Sequence, residues 1–200
     1  MFGRDNILDY IKAKKINIMP APLDKDIGPN SIDLYLGEKL LEFCPPVEDT
    51  DFQKWYVNPY KNDDCDDSSF FIEKPVEIDE HGPYWILEPN KLYLGHTLEY
   101  IETLNCVGTL HSRSTFARWG VSVHQTAGLG DYGFCGKWTL EITVPVRILV
   151  RPKTRCMQIS FHEAEGIVKP QPYSLETGHS YQNSTDVGRP KCLELPNKQK

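Results

Sequence analysis

Residues 138–150 read WTLEITVPVRILV. Leu140, Ile142 and Val144 alternate with Thr139, Glu141 and Thr143, which is the period of a strand with one face on a core and the other on something polar. The same period recurs in SIDLYLG, residues 31–37, through Ile32, Leu34 and Leu36, and in CMQISF, residues 156–161, through Met157, Ile159 and Phe161. Fifteen prolines and the scattered glycines keep each run short, so the expected fold is mainly β, with short strands and tight turns. The period changes in DNILDYIKA, residues 5–13, where Ile7, Leu8 and Ile11 stand at helical spacing behind Asp5 or Asn6 as a cap. One short amphipathic helix is expected there.

Composition narrows the class. With 40% hydrophobic and 25% charged residues, the 200-residue chain reads as an ordinary globular domain and not as a fibrous or disordered one. A formal charge of −6 argues against duplex nucleic acid as the main ligand, because phosphate backbones are held by basic surfaces, although a local cluster can still take a small anion. Charges at Arg4, Asp5, Asp9, Lys12, Lys14 and Lys15 interrupt any apolar run near the amino terminus, so neither a signal peptide nor a membrane span is expected and cytoplasmic residence follows. The six cysteines contain no C-x-x-C pair and are expected to be reduced structural thiols.

The organisation reads as one domain over residues 1–194 with a frayed tail at 195–200. Residues 45–70 are acidic and turn-rich, with Asp63, Asp64, Asp66 and Asp67 close together, and read as a long surface excursion. The order of an EF-hand loop is missing, so a solvated loop is favoured over a cation site.

The segment with chemical content is LHSRSTFARWGVSVHQTAGLGDYGFCGKWTLEITV, residues 110–144. Its first part places Arg113, Ser114 and Thr115 before a single helical turn from Phe116 to Trp119, stopped by Gly120 as a C-terminal cap. Hydroxyls and backbone N–H groups flanked by Arg113 and Arg118 suit phosphate oxygens, though such a run is also an ordinary capped turn. The next part reads as a strand, a glycine-rich turn over 128–136 and a returning strand, an irregular hairpin whose glycines allow a ring to approach closely. On the plain structural reading His124 is a satisfied histidine in the first of these strands, Asp131 a turn former and Glu141 an outward strand residue.

Taken together, these segments resemble the dCTP deaminases of the trimeric dUTPase superfamily. The family pattern runs approximately G-R-S-S-L-A-R-L-G-L-x-V-H-x-T-A, then I-D-P-G-W-x-G-x-I-x-L-E; here the text is SRSTFARWGVSVHQTA, residues 112–127, then LGDYGFCGKWTLE, residues 129–141. GPNSIDLYLG, residues 28–37, PNKLYLGHTLEYI, residues 89–101, and PQPYSLETGHSYQN, residues 170–183, are similar to flanking motifs of the same family. The resemblance implies a dUTPase-like distorted jelly-roll (β-clip) and a homotrimer with sites between subunits. It implies zinc-independent hydrolytic deamination of dCTP to dUTP and ammonia, with magnesium accompanying the triphosphate and dTTP or dUTP as further nucleotide ligands. Glu141 matches the general base, Arg118 the arginine near it, and Arg113, Ser114 and Thr115 the phosphate-binding positions, with Ser114 and Arg118 also offsetting charge during attack. Asp131 matches the aspartate near the deoxyribose, and Phe134 the aromatic beneath the sugar that helps exclude a 2′-hydroxyl. Ala127, Thr139, Leu140 and Tyr173 complete the expected nucleotide contacts.

The sequence departs from the pattern at Gly130 (for Ile), Tyr132 (for Pro), Gln125 (for an apolar residue) and Ser180 (for Lys), and a tail glutamine is displaced or lost. The classical zinc deaminases use H-x-E with P-C-x-x-C, whereas His162 is followed directly by Glu163 here. Because Asp131 is retained, a dUTPase or a bifunctional deaminase and diphosphatase stays open, as does a nucleotide-binding regulator of low turnover.

Overall fold

Met157, Ile159 and Phe161 are fully buried, as their alternation predicts, and they belong to the longest strand of the described chain. The computed structural model describes residues 1–45, 57–59, 70–166 and 181–192. In chain order the elements are α1 (Arg4–Lys12), β1 (Ile16–Met19), a 3-10 turn at Asp24–Asp26, β2 (Ile32–Tyr35), β3 (Leu41–Phe43), β4 (Phe71–Glu73), β5 (Glu77–Asp79) and β6 (Gly82–Leu87). They continue through β7 (Tyr93–His96), β8 (Tyr100–Thr103), β9 (Val107–Ser112), α2 (Ser114–Arg118), β10 (Leu129–Gly130), β11 (Cys135–Gly136), β12 (Thr139–Ile142), β13 (Ile148–Val150) and β14 (Arg155–His162). The strands form four small sheets, ordered β10-β9-β14-β2, β12-β7-β3-β4, β1-β8-β11 and β13-β6-β5, with every strand pair antiparallel.

β14 sits between β9 and β2, so its inward side chains meet Ile32, Leu34 and Leu110 in one core, which also takes Ile7 from α1 and Leu140 and Ile142 from β12. Short strands suffice because each contributes two or three apolar side chains to a shared interior rather than closing a core of its own.

Three local expectations change. The helix begins one residue before Asp5, with Gly3 at the N-cap and no side-chain cap bond, so Asp5 lies inside the first turn, where its charge favours the helix dipole. α2 likewise begins earlier than expected, at Ser114, while Gly120 ends it with φ +78, the left-handed conformation that glycine adopts without steric cost. The hairpin over 121–141 does not form as a ladder: β10 pairs with β9 and β11 with β8, and one bridge, Ser122 to Thr143, joins the two arms. Older partners in the chain supply the ladder bonds, so His124 lies in irregular backbone and not in a strand. Its ring packs on Gly128, and its Nδ1 is buried without a hydrogen-bond partner among the described residues.

Cys44, Cys106, Cys135 and Cys156 are free, and burial pushes the Cys106 and Cys156 thiols up to about 12, which suits packing and not reactivity. Cys192 is disulfide-bonded, against the expectation of six reduced thiols, since sequence spacing carries no information about which distant cysteines meet. Most of the acidic excursion over 45–70 lies outside the described residues. No helix among the described residues is long and apolar enough to cross a membrane.

Candidate active site

The alternation that buries Leu140 and Ile142 turns Thr139 and Glu141 to the opposite face of β12, and that face borders a cavity of about 500 Å³. Pairing with β7 sets Glu141 opposite Leu94 and Thr139 opposite His96, so a ladder of backbone bonds fixes the height of the carboxylate. Glu141 Oε2 accepts a hydrogen bond from the Gln125 backbone N–H at 3.3 Å, which ties it to the loop after α2. The Gln125 side chain donates to Thr143 Oγ1 at 3.0 Å, so a polar residue at this position links loop and strand.

Asp131 enters the same cavity from a turn in which Asp131 O accepts the Phe134 N–H at 3.0 Å and Gly133 has φ +87. Tyr132 therefore takes the second position of the turn, where proline is favoured but not required, and its hydroxyl accepts from Asn105 Nδ2 at 3.0 Å. Phe134 and Trp138 meet edge to face, their centroids 5.3 Å apart, and both line the cavity. Glu141, Asp131, Phe134, Thr139 and Ala127 are thus brought together on one cavity.

Other expected contacts are placed elsewhere. Leu140 is fully buried in the core, so its side chain faces away from the cavity. Ser114, Thr115 and Arg118 are exposed on α2 and do not line this cavity. Arg113 is half-buried, with Nη1 2.9 Å from Asp33 Oδ2, an ion pair the sequence reading did not foresee. Tyr173 lies outside the described residues.

The tail over 181–192, which the resemblance reached only as far as Asn183, supplies further residues. Asn183 N–H donates to Cys135 O at 2.7 Å, Lys137 N–H donates to Ser184 O at 2.8 Å, and Gly136 bridges Ser184 in parallel. Gln182 accepts from the Cys135 N–H and donates to Gly133 O, each at 3.0 Å, so a tail glutamine is present and holds the strand beneath it. Gly188 N–H donates to Thr139 Oγ1 at 2.9 Å, and Lys39 pairs with Asp186 at 2.6 Å, which carries Tyr181, Gly188, Arg189 and Pro190 to the cavity rim. A Cβ at Gly188 would stand 2.7 Å from the Thr139 hydroxyl, a closeness that only the folded chain reveals.

On a second cavity, lined also by Asp26, Asp33 and Tyr35, Glu99 is buried and accepts the Tyr35 backbone N–H with both oxygens, at 3.1 and 3.2 Å. Burial pushes its carboxyl up to about 7. Among the described residues there is no group of three or more His, Cys, Asp or Glu side chains arranged to hold a metal ion.

Residues 1–164 match the family model described as dCTP deaminase-like. The chain is 37% identical over 180 residues to a "dCTP deaminase, dUMP-forming" of Clostridium beijerinckii, covering 90% of each chain. It is 40% identical over 160 residues to the protein of that name in Leptospira biflexa, covering 79% of this chain and 80% of the other, and 40% identical over 143 residues to that of Cytophaga hutchinsonii, covering 72% of each. The crystal structure of 2′-deoxycytidine 5′-triphosphate deaminase from Agrobacterium tumefaciens superposes with a TM-score of 0.57 at 19% identity, over 82% of this chain and 47% of that one, a likeness of fold. With antiparallel strands in four small sheets and Glu141 facing Asp131's cavity, the chain belongs to the dCTP deaminase-like family and has its dUTPase-like β fold.

Proposed function

We propose that the protein hydrolyses dCTP twice at one site, removing the amine and then the terminal pyrophosphate, so that the products are dUMP, ammonia and pyrophosphate. The observation that carries this is the presence of two carboxylates of different setting, Glu141 and Asp131, on one cavity. The names of the relatives support dUMP in place of the dUTP that the sequence reading put first.

Water adds its oxygen across the ring C4–N3 double bond, one of its protons passing through Glu141 to N3; Glu141 then carries the new hydroxyl's proton to the amine, the carbon–nitrogen bond breaks, and the uracil carbonyl forms as ammonia leaves. A second water, oriented by Asp131, attacks the α-phosphorus and displaces pyrophosphate. Magnesium enters as part of the triphosphate substrate and spreads its charge. The deamination step rests on carboxylate proton transfer and on charge stabilisation by Arg118 and Ser114, with no zinc.

Within one copy those two residues stand away from Glu141's cavity, so we assign Arg113, Ser114, Thr115 and Arg118 to a cavity of a neighbouring copy in a homotrimer. Trp119, next to Arg118, is 69% exposed and is apolar surface that a neighbour would cover. The test is to incubate the purified protein with dCTP and magnesium and to follow products by anion-exchange chromatography. Formation of dUMP without dUTP build-up is expected; dUTP as the final product overturns the second step, and unchanged dCTP overturns both.

A further inference from the structure

Gly130 and Trp138 occupy one another's space. A Cβ at Gly130 would stand 2.4 and 2.5 Å from Trp138 Cζ2 and Cη2, so the indole fills the volume that a side chain at 130 would take. In register, Gly130 faces Gly108 of β9, where a Cβ would lie 3.3 Å from the same Cζ2. Two paired glycines thus form the seat of the ring.

The ring is fixed from its backbone as well. Trp138 N–H donates to Thr97 Oγ1 at 3.0 Å, and Trp138 O accepts the Thr97 N–H at 2.9 Å. The indole N–H is buried and has no hydrogen-bond partner among the described residues, so what the position retains is the ring's shape and not a polar contact. That shape bears on the site, because Gly130 directly precedes Asp131 and the far side of the indole backs Phe134 at the edge-to-face distance given above.

We propose that Trp138, seated on Gly130 and Gly108, is a positioning residue for 2′-deoxynucleotide selection: it braces Phe134 and the Gly130–Asp131 backbone so that the sugar end of the cavity has no room for a 2′-hydroxyl. The inference rests on the reading of the cavity as the dCTP site. A ring locked between two glycines and a backbone clamp cannot yield, whereas an aliphatic side chain at 138 leaves Phe134 space to retreat.

The test uses the Glu141→Gln protein as parent, so that binding is read by calorimetry without turnover, with dCTP and CTP as the probes. Trp138→Ile should lower the dCTP over CTP preference by about tenfold or more, mainly through tighter CTP binding. Gly130→Ile alone should weaken both nucleotides, and Gly130→Ile with Trp138→Ile should bring the preference back to within about threefold of the parent, a non-additive pair. Circular dichroism establishes folding for each variant, and Trp138→Phe, with a smaller ring, replaces Trp138→Ile if the latter does not fold and should lower the preference by about threefold. An unchanged preference in the folded Trp138 variant, a double variant equal to the sum of the singles, or a parent that binds both nucleotides alike overturns the proposal. A wild-type protein that leaves dCTP unreacted while the preference and its loss are seen would overturn the proposed reaction and leave this inference standing.

Discussion

Glu141 and Asp131 share a cavity but are held by different means, one by a strand ladder and a loop N–H, the other by a glycine turn. Glu141→Gln keeps the shape and the bond from Gln125 while losing the base, so dCTP deamination should fall by about 10³ or more with nucleotide affinity retained. Asp131→Asn should instead let dUTP accumulate, because only the second hydrolysis needs its charge; product chromatography separates the two outcomes. Glu99 has a thermodynamic signature. Its folded carboxyl, raised by burial to about 7 from 4.5, keeps a proton that the unfolded chain gives up, so the native state binds more protons between those values. Stability from this group therefore falls as pH rises through that window and is level above it. His96, lowered by its own burial, acts in the opposite sense as pH falls below 6.5, so the difference between proteins is the quantity to read. Thermal melting of Glu99→Gln against wild type should show the substitution stabilising at about pH 8 relative to about pH 5, by roughly 1–3 kcal/mol. An equal difference at both pH values would contradict the assignment.

Among the elements, the tail over 181–192 behaves as an added edge. Its backbone runs parallel to β11 at Ser184, and its glycine uses the Thr139 hydroxyl as an acceptor, so the side chain expected to line a base pocket is also the anchor of the segment above it. Gly188→Val should displace the tail, since even a Cβ falls within 2.7 Å of that oxygen. The expected outcome in steady-state kinetics is a KM for dCTP raised about tenfold with kcat reduced less, because binding surface is lost while Glu141 stays in place. The melting temperature should change by no more than a few degrees, roughly, as the tail lies outside the main core. A large loss of stability with normal KM would place the tail in the core and not over the site.

For the whole molecule, the separation of Arg118 from Glu141's cavity is the main architectural fact, and it makes complementation the sharpest test of a shared site. Arg118→Ala and Glu141→Gln should each be nearly inactive alone. If subunits exchange, mixing equal amounts of the two proteins after brief denaturation and refolding should restore about a quarter of wild-type activity, because about one interface in four then carries both intact residues. Activity of the mixture equal to the sum of the separate variants would show that each copy builds its site alone, and light scattering of the wild type should give three copies.

The one-dimensional pattern was enough for what depends on neighbours in sequence. Alternation alone separates buried Leu140 and Ile142 from Thr139 and Glu141, and the same logic places Met157, Ile159 and Phe161 in the core, since strand geometry ties side-chain direction to position. The motif over 112–141 likewise carried most of the cavity lining, including Asp131 and Phe134. Tertiary structure decided what depends on distant partners. It paired the arms of the expected hairpin with β9 and β8, joined Arg113 to Asp33, turned Leu140 away from the cavity, brought the tail onto Thr139 and set the indole of Trp138 in the space above Gly130. None of these has a local period, because each is a choice among competing contacts made only once the core has closed.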